Sequence, residues 1–299
     1  MIDAAGGLLA VALRFVAVAA TTGALGAWAF YRFVIPRLSA SIGDADRQAW
    51  WTLATRSAIW CSVALAVSAG ARTLVPGSVL PRVPDGTENL LRSIISAEGL
   101  HAQGVVAGLA ALLLAFRTRR GQPWSLDAEA CVVAMALIQP ALAHAGVLHD
   151  LQVLAYVVDT VHGAAAGAWV GALALVTVLV RQQLARPDGA ARSMALFGAF
   201  HPVALVSAPA VFVTGLATAW LRMGAPEGIA NSTYSGLFVA KLLVAGVVGY
   251  FGAGHSKLVM RRVAAVAPDA VSRTLIFECA FAIAVLFVSA ILVGTPPIG

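Results

Sequence analysis

Residues 157–173 read VVDTVHGAAAGAWVGAL, an apolar run that carries Asp159 and His162 three positions apart. On a helix that spacing puts both side chains on one face. A carboxylate and an imidazole so placed can ligate a metal ion together or form a structural polar pair between helices. In a metal site the carboxylate can also fix the tautomer of the histidine that binds the ion. Residues of the same types recur along the chain. Glu98 and His101 share the i, i+3 spacing, and His144, His149 and Asp150 fall in the short polar stretch HAGVLHD. Lys241 stands alone in a later apolar run, Trp169 lies within the opening stretch, and His201, His255 and Glu278 form a sparser second group. Plainer readings stand beside these. A buried histidine packs, a loop histidine is solvated, and Lys241 or Arg14 snorkels to the headgroups.

The elements that must position these residues are membrane helices. The chain has 299 residues, 60% of them hydrophobic and 11% charged, with a mean hydropathy of +0.86. A soluble domain carries about 25% charged residues, so there is too little charge here to cover a soluble surface. A spanning helix needs about 20 mostly apolar residues. Eight runs meet or approach that length, near 8–34, 50–74, 98–116, 129–143, 152–180, 194–221, 235–257 and 272–293. The fourth is short and ends at Gln139-Pro140, which predicts a bent exit because proline lacks the backbone donor. The fold class is therefore an all-α polytopic bundle of about eight helices, in one transmembrane domain over 1–299. The first run is too long for a signal-peptide core and is expected to be retained as a helix.

The net charge is +6 and the isoelectric point about 9.8, but the basic residues do not form a nucleic-acid stripe. They gather in alternate short loops: Arg37 and Arg47; Arg117, Arg119 and Arg120; Arg181, Arg186 and Arg192; Lys257, Arg261, Arg262 and Arg273. Positive loops stay cytoplasmic. Both termini and the stretch HAGVLHD are then extracytoplasmic, and Asp159, His162, His101 and Lys241 lie in the outer half of the bilayer. Charged residues at that depth normally face the bundle interior, a cavity or a partner. In helix five Gly163, Gly167 and Gly171 repeat every fourth residue. Such a stripe lets a neighbouring backbone approach closely and turns the nearby Asp159–His162 face into the bundle. Cys61, Cys131 and Cys279 are far apart, without a CxxC motif, and read as small buried apolar residues.

Four segments resemble the copper-resistance D (CopD-like) family of multi-pass membrane proteins. VDTVHGAAAGAWVGALALV at 158–176 is similar to the family's D-x-x-H…W-x-G segment. FHPVALVSAPAVFVTGLATAWLRM at 200–223 resembles the next helix with its TGL step. TYSGLFVAKLLVAGVVGYFGAGHSKLV at 233–259 resembles the T-x-Y-G-x-x-L-x-x-K-L segment, with Ser235 in place of one glycine. RTLIFECAFAIAVLFVSAILVGTPP at 273–297 resembles the closing R-x-x-x-x-E helix. They come in the family's order and mark 150–297 as a CopD-like core. The resemblance implies a non-enzymatic copper-handling protein of the bacterial cytoplasmic (inner) membrane, served by a periplasmic copper-binding protein of the copper-resistance C type. It implies Asp159, His162, Trp169, Lys241 and Glu278 as functional positions. The copper-binding domain fused to some members is not present in this sequence, so a separate donor is expected.

The residues themselves state a metal preference. Thiolate and thioether favour Cu(I), whereas imidazole and carboxylate suit Cu(II). With five methionines and no paired cysteine, a metal set of His162, Asp159, His101, His149, His144 and Glu98 fits Cu(II) at the outer side. Lys241, Glu278, His201 and Trp169 are pathway or structural positions. No GxxxxGK[ST] motif occurs, so transport would be passive or ion-coupled. Two other readings stay open. Histidine pairs such as His101 with His162, or His201 with His255, can hold a haem b between helices. A scaffold that delivers copper to a membrane oxidase would look the same in sequence.

Overall fold

The computed structural model describes residues 4–38, 42–75, 97–142, 151–223, 233–261 and 268–294. Among them every regular element is helical. We number the helices α1 (Ala4–Ala29), α2 (Asp44–Leu74), α3 (Ala97–Arg119), α4 (Leu126–Ala141), α5 (Gln152–Ala166 and Ala172–Leu184), α6 (Gly189–Met223), α7 (Thr233–Arg261) and α8 (Pro268–Gly294). Helix α1 ends in a π turn, Phe30–Val34, and a 3₁₀ turn, Ile35–Arg37. A second π turn, Gly167–Gly171, joins the two halves of α5. Seven of these segments are long and apolar enough to cross a membrane, which makes the chain a multi-pass membrane protein. Helix α4 has only 16 residues. At 1.5 Å per residue it spans about 24 Å, less than the hydrocarbon core. Its Pro140 lies in the last turn, one residue before the helix ends at Ala141.

Helix α1 runs through the centre and packs on α2, α4, α5 and α8. It can do so because its contact positions are small: Ala17, Ala20, Ala24 and Ala27 are buried. Without a hydrophobic drive between helices in lipid, close backbone approach supplies the packing. The α1–α5 crossing is the tightest. A methyl group on Gly167 would sit 2.5 Å from Leu25 Cβ, and one on Gly171 would sit 2.8 Å from the Gly26 Cα. The glycine stripe expected to admit a neighbour therefore works at two of its three positions. Gly163 has nothing within 4 Å of a Cβ, because it borders a cavity instead. Large apolar side chains at the periphery, such as Val239, Leu243 and Tyr250 of α7, are exposed and face lipid.

The Arg14 guanidinium packs against Gly294, where any side chain would collide with it. The carboxyl end of a helix carries a partial negative charge that attracts such a cation. This contact also puts the start of α1 and the end of α8 on the same side of the bundle. At the opposite side Asp46 accepts from Arg186 (2.8 Å) and from Arg192, tying α2 to the turn between α5 and α6. Arg192 also bonds Asp188 (2.6 Å), and this hydrogen bond holds the Asp188 carboxyl below the usual range. Two polar pairs, one half-buried and one buried, lock the same half. The Trp28 indole donates to Glu129 (2.9 Å), and Trp124 donates to Thr55 (2.9 Å).

Candidate metal site

Between the helices lies a cavity of about 230 Å³. It is walled by the first half of α5, the outer ends of α4, α6, α7 and α8, and the middle of α1. Asp159, His162, Trp169 and Lys241 all line it. These are four of the five positions that the family resemblance implies. The elements that reach the cavity do so at the end opposite the arginine-rich turns. By the charge rule that end is extracytoplasmic.

Two turns of α6 build the surroundings of the histidine. His162 Nδ1 lies 3.1 Å from the Val211 carbonyl and 3.1 Å from Thr214 Oγ1. A carbonyl can only accept, so Nδ1 carries the proton and the lone pair lies on Nε2. That is the tautomer a metal-binding imidazole needs, and it is held as such rings usually are, by a backbone acceptor behind them. The Val211 carbonyl thus orients the ring from behind. Asp159 accepts from Thr218 Oγ1 at 2.8 Å. Thr214 and Thr218 are one turn apart on α6, and Gly215 between them leaves room for the ring. A methyl group there would stand 3.2 Å from His162 Cε1. The TGL step of residues 200–223 contains Thr214, but nothing in the sequence assigns either threonine a role at the site. The threonines of an apolar helix usually bond their own i−4 carbonyl, as Thr214 does with Ala210. The signal that could have found them is the T-G-x-x-T spacing of residues 214–218, which puts the two hydroxyls one turn apart, as the i, i+3 spacing does for Asp159 and His162 on α5.

The other expected ligands fall elsewhere. His101 is exposed on α3, a helix that packs on α2 and α4, and it does not line the cavity. Depth in the membrane placed it near His162; the rotation and position of α3 do not. His144 and His149 lie outside the described residues, as do the side chains of Glu98 and His255. His201 sits half-buried on α6 and is not part of the lining. Glu278 is 1% exposed and lies below the cavity, beside Trp169. Among the described residues no three of His, Cys, Asp and Glu converge on one point. The cavity lining brings together one imidazole and one carboxylate, with a lysine nearby.

Residues 194–292 match the model of one protein family, Copper resistance protein D. The match covers α6, α7 and nearly all of α8, with Lys241 and Glu278 inside it and Asp159 and His162 before it. No curated protein and no solved structure matches the chain.

Proposed function

We propose that this membrane protein, CopD-like over residues 194–292, binds copper in the outer cavity and passes it across the cytoplasmic membrane, without enzymatic chemistry. One observation carries the reading: the His162 imidazole, held at Nδ1 by the Val211 carbonyl, and the Asp159 carboxylate line one cavity. A nitrogen and a carboxylate oxygen suit Cu(II). The remaining ligands come from the donor, from solvent or from the segment 143–150 with His144 and His149. That segment joins α4 to α5, and both helices border the cavity. Lys241 in the same cavity keeps the hold on a dication loose, and a site that must pass its ion on needs weak binding. The donor is a periplasmic copper-binding protein of the copper-resistance C type.

The test is metal analysis with an optical spectrum on the purified protein after copper loading. About one copper per chain and no Soret band is the expected result. A Soret band with no copper would overturn the reading in favour of a haem protein. Copper retention without uptake into vesicles would favour delivery to an oxidase.

A further inference from the structure

The floor of the cavity is Trp169. On α7 the lining reaches Val248, and on α8 it reaches Ala282. One turn further on, Gly252 of α7 meets Glu278 of α8. A methyl group on Gly252 would stand 3.3 Å from Glu278 Oε1 and 3.7 Å from Trp169 Cζ2. Trp169 therefore borders the cavity on one side and the neighbourhood of a carboxylate that is 1% exposed on the other. Phe212 packs against the indole, with ring centroids 6.3 Å apart, and rests on Gly249, where a methyl group would stand 3.2 Å from its ring. The two aromatic rings make one layer.

Two features suit that layer to opening. Trp169 sits at the middle of the π turn Gly167–Gly171, a rare irregularity that recurs at functional sites. The backbone of this turn is pinned to α1 at both glycines, so the moving part is the side chain. Behind the layer, the Glu278 carboxylate packs directly against Gly252, which has no side chain to separate them. Lys241 stands eleven residues before Gly252 on α7, about 16 Å along the axis, and belongs to the other level.

We infer that Trp169 is a gate, closed in this structure, between the outer cavity and Glu278, and that Glu278 is the next station for the cation held in the cavity. The inference rests on the proposed copper reading for the identity of the cation only.

The two native carboxylates, one on each side of the layer, provide the test. A water-soluble cationic carbodiimide with an amine is applied to the purified full-length protein, and the adducts on Asp159 and Glu278 are quantified by mass spectrometry. With Trp169 present, Asp159 is modified and Glu278 is spared. In Trp169→Ala, Glu278 is expected to react roughly tenfold faster or more, while Asp159 is unchanged. Trp169→Phe keeps the layer and keeps Glu278 protected. Phe212→Ala, which loosens the same layer, serves if Trp169→Ala does not fold. Equal rates at Glu278 with and without Trp169 would overturn the gate. So would a spared Glu278 in Trp169→Ala when Asp159 reacts, or an Asp159 that never reacts. Copper(II) chloride added to Trp169→Ala should slow modification at both carboxylates. Slowing at Asp159 alone would overturn the station. Slowing at neither would overturn the copper reading and leave the gate standing on the rates without copper.

Discussion

His162→Ala is expected to lower copper affinity at the cavity by at least about 100-fold, because losing a residue that merely orients a ligand already costs 10–100-fold. The expectation follows from the tautomer. With Nδ1 held by Val211, Nε2 is the nitrogen through which the ring would bind a metal, and the residue lines the cavity. Asp159→Asn keeps the shape and the Thr218 contact but removes the charge, and should weaken binding less. Thr214→Val removes one of two partners of Nδ1 and leaves the Val211 carbonyl in place, so its effect should be smaller still. A copper titration of the three variants, read by equilibrium dialysis, checks the ranking. Affinities that fall equally in all three would mean that binding follows the fold of the cavity and not the imidazole.

The second large effect concerns the α1–α5 crossing. Gly171→Val should abolish the folded protein or destabilise it beyond the usual overpacking range of about 1–3 kcal/mol. The obstacle is backbone: the Thr22 carbonyl and Gly26 occupy the space that a side chain needs. Side chains can turn away, but the backbone of two packed helices cannot. Gly163→Ala, from the same stripe, meets nothing within 4 Å and should be neutral or stabilising by up to about 1 kcal/mol, since alanine is the better helix former. Thermal unfolding of the detergent-solubilised variants, followed by the loss of monodisperse protein, separates the two. A Gly171→Val protein as stable as the parent would refute the crossing.

The helices were legible in the sequence because hydropathy and loop charge speak directly about membrane depth. The eight apolar runs correspond to the eight described helices, and the short fourth run is the short helix α4. Depth was also enough to gather Asp159, His162 and Lys241 at one level. Rotation about the helix axis and the order of helices around the bundle are different quantities. They depend on which small residues meet, and a single sequence encodes them only weakly. His101 shows the consequence: it was grouped by depth with His162, yet α3 stands behind α2 and α4. Helix α5 was the exception, because Gly167 and Gly171 announced their own interface and so oriented Asp159 and His162. The partners on α6 were hidden for a related reason. Val211 contributes a backbone carbonyl, which no residue type announces, and Thr218 looks like any threonine in an apolar helix. The π turn around Trp169 adds a residue to the register of α5, and nothing in GAWVG spells it out.

The central claim is that a copper ion in this protein is held by the His162 imidazole. Pulsed electron paramagnetic resonance on the Cu(II)-loaded protein reads it most directly, because the remote nitrogen of a bound imidazole modulates the echo. The account predicts that modulation in the parent protein and its loss in His162→Ala. An unchanged modulation in His162→Ala would show that the copper sits on another histidine and would contradict the account.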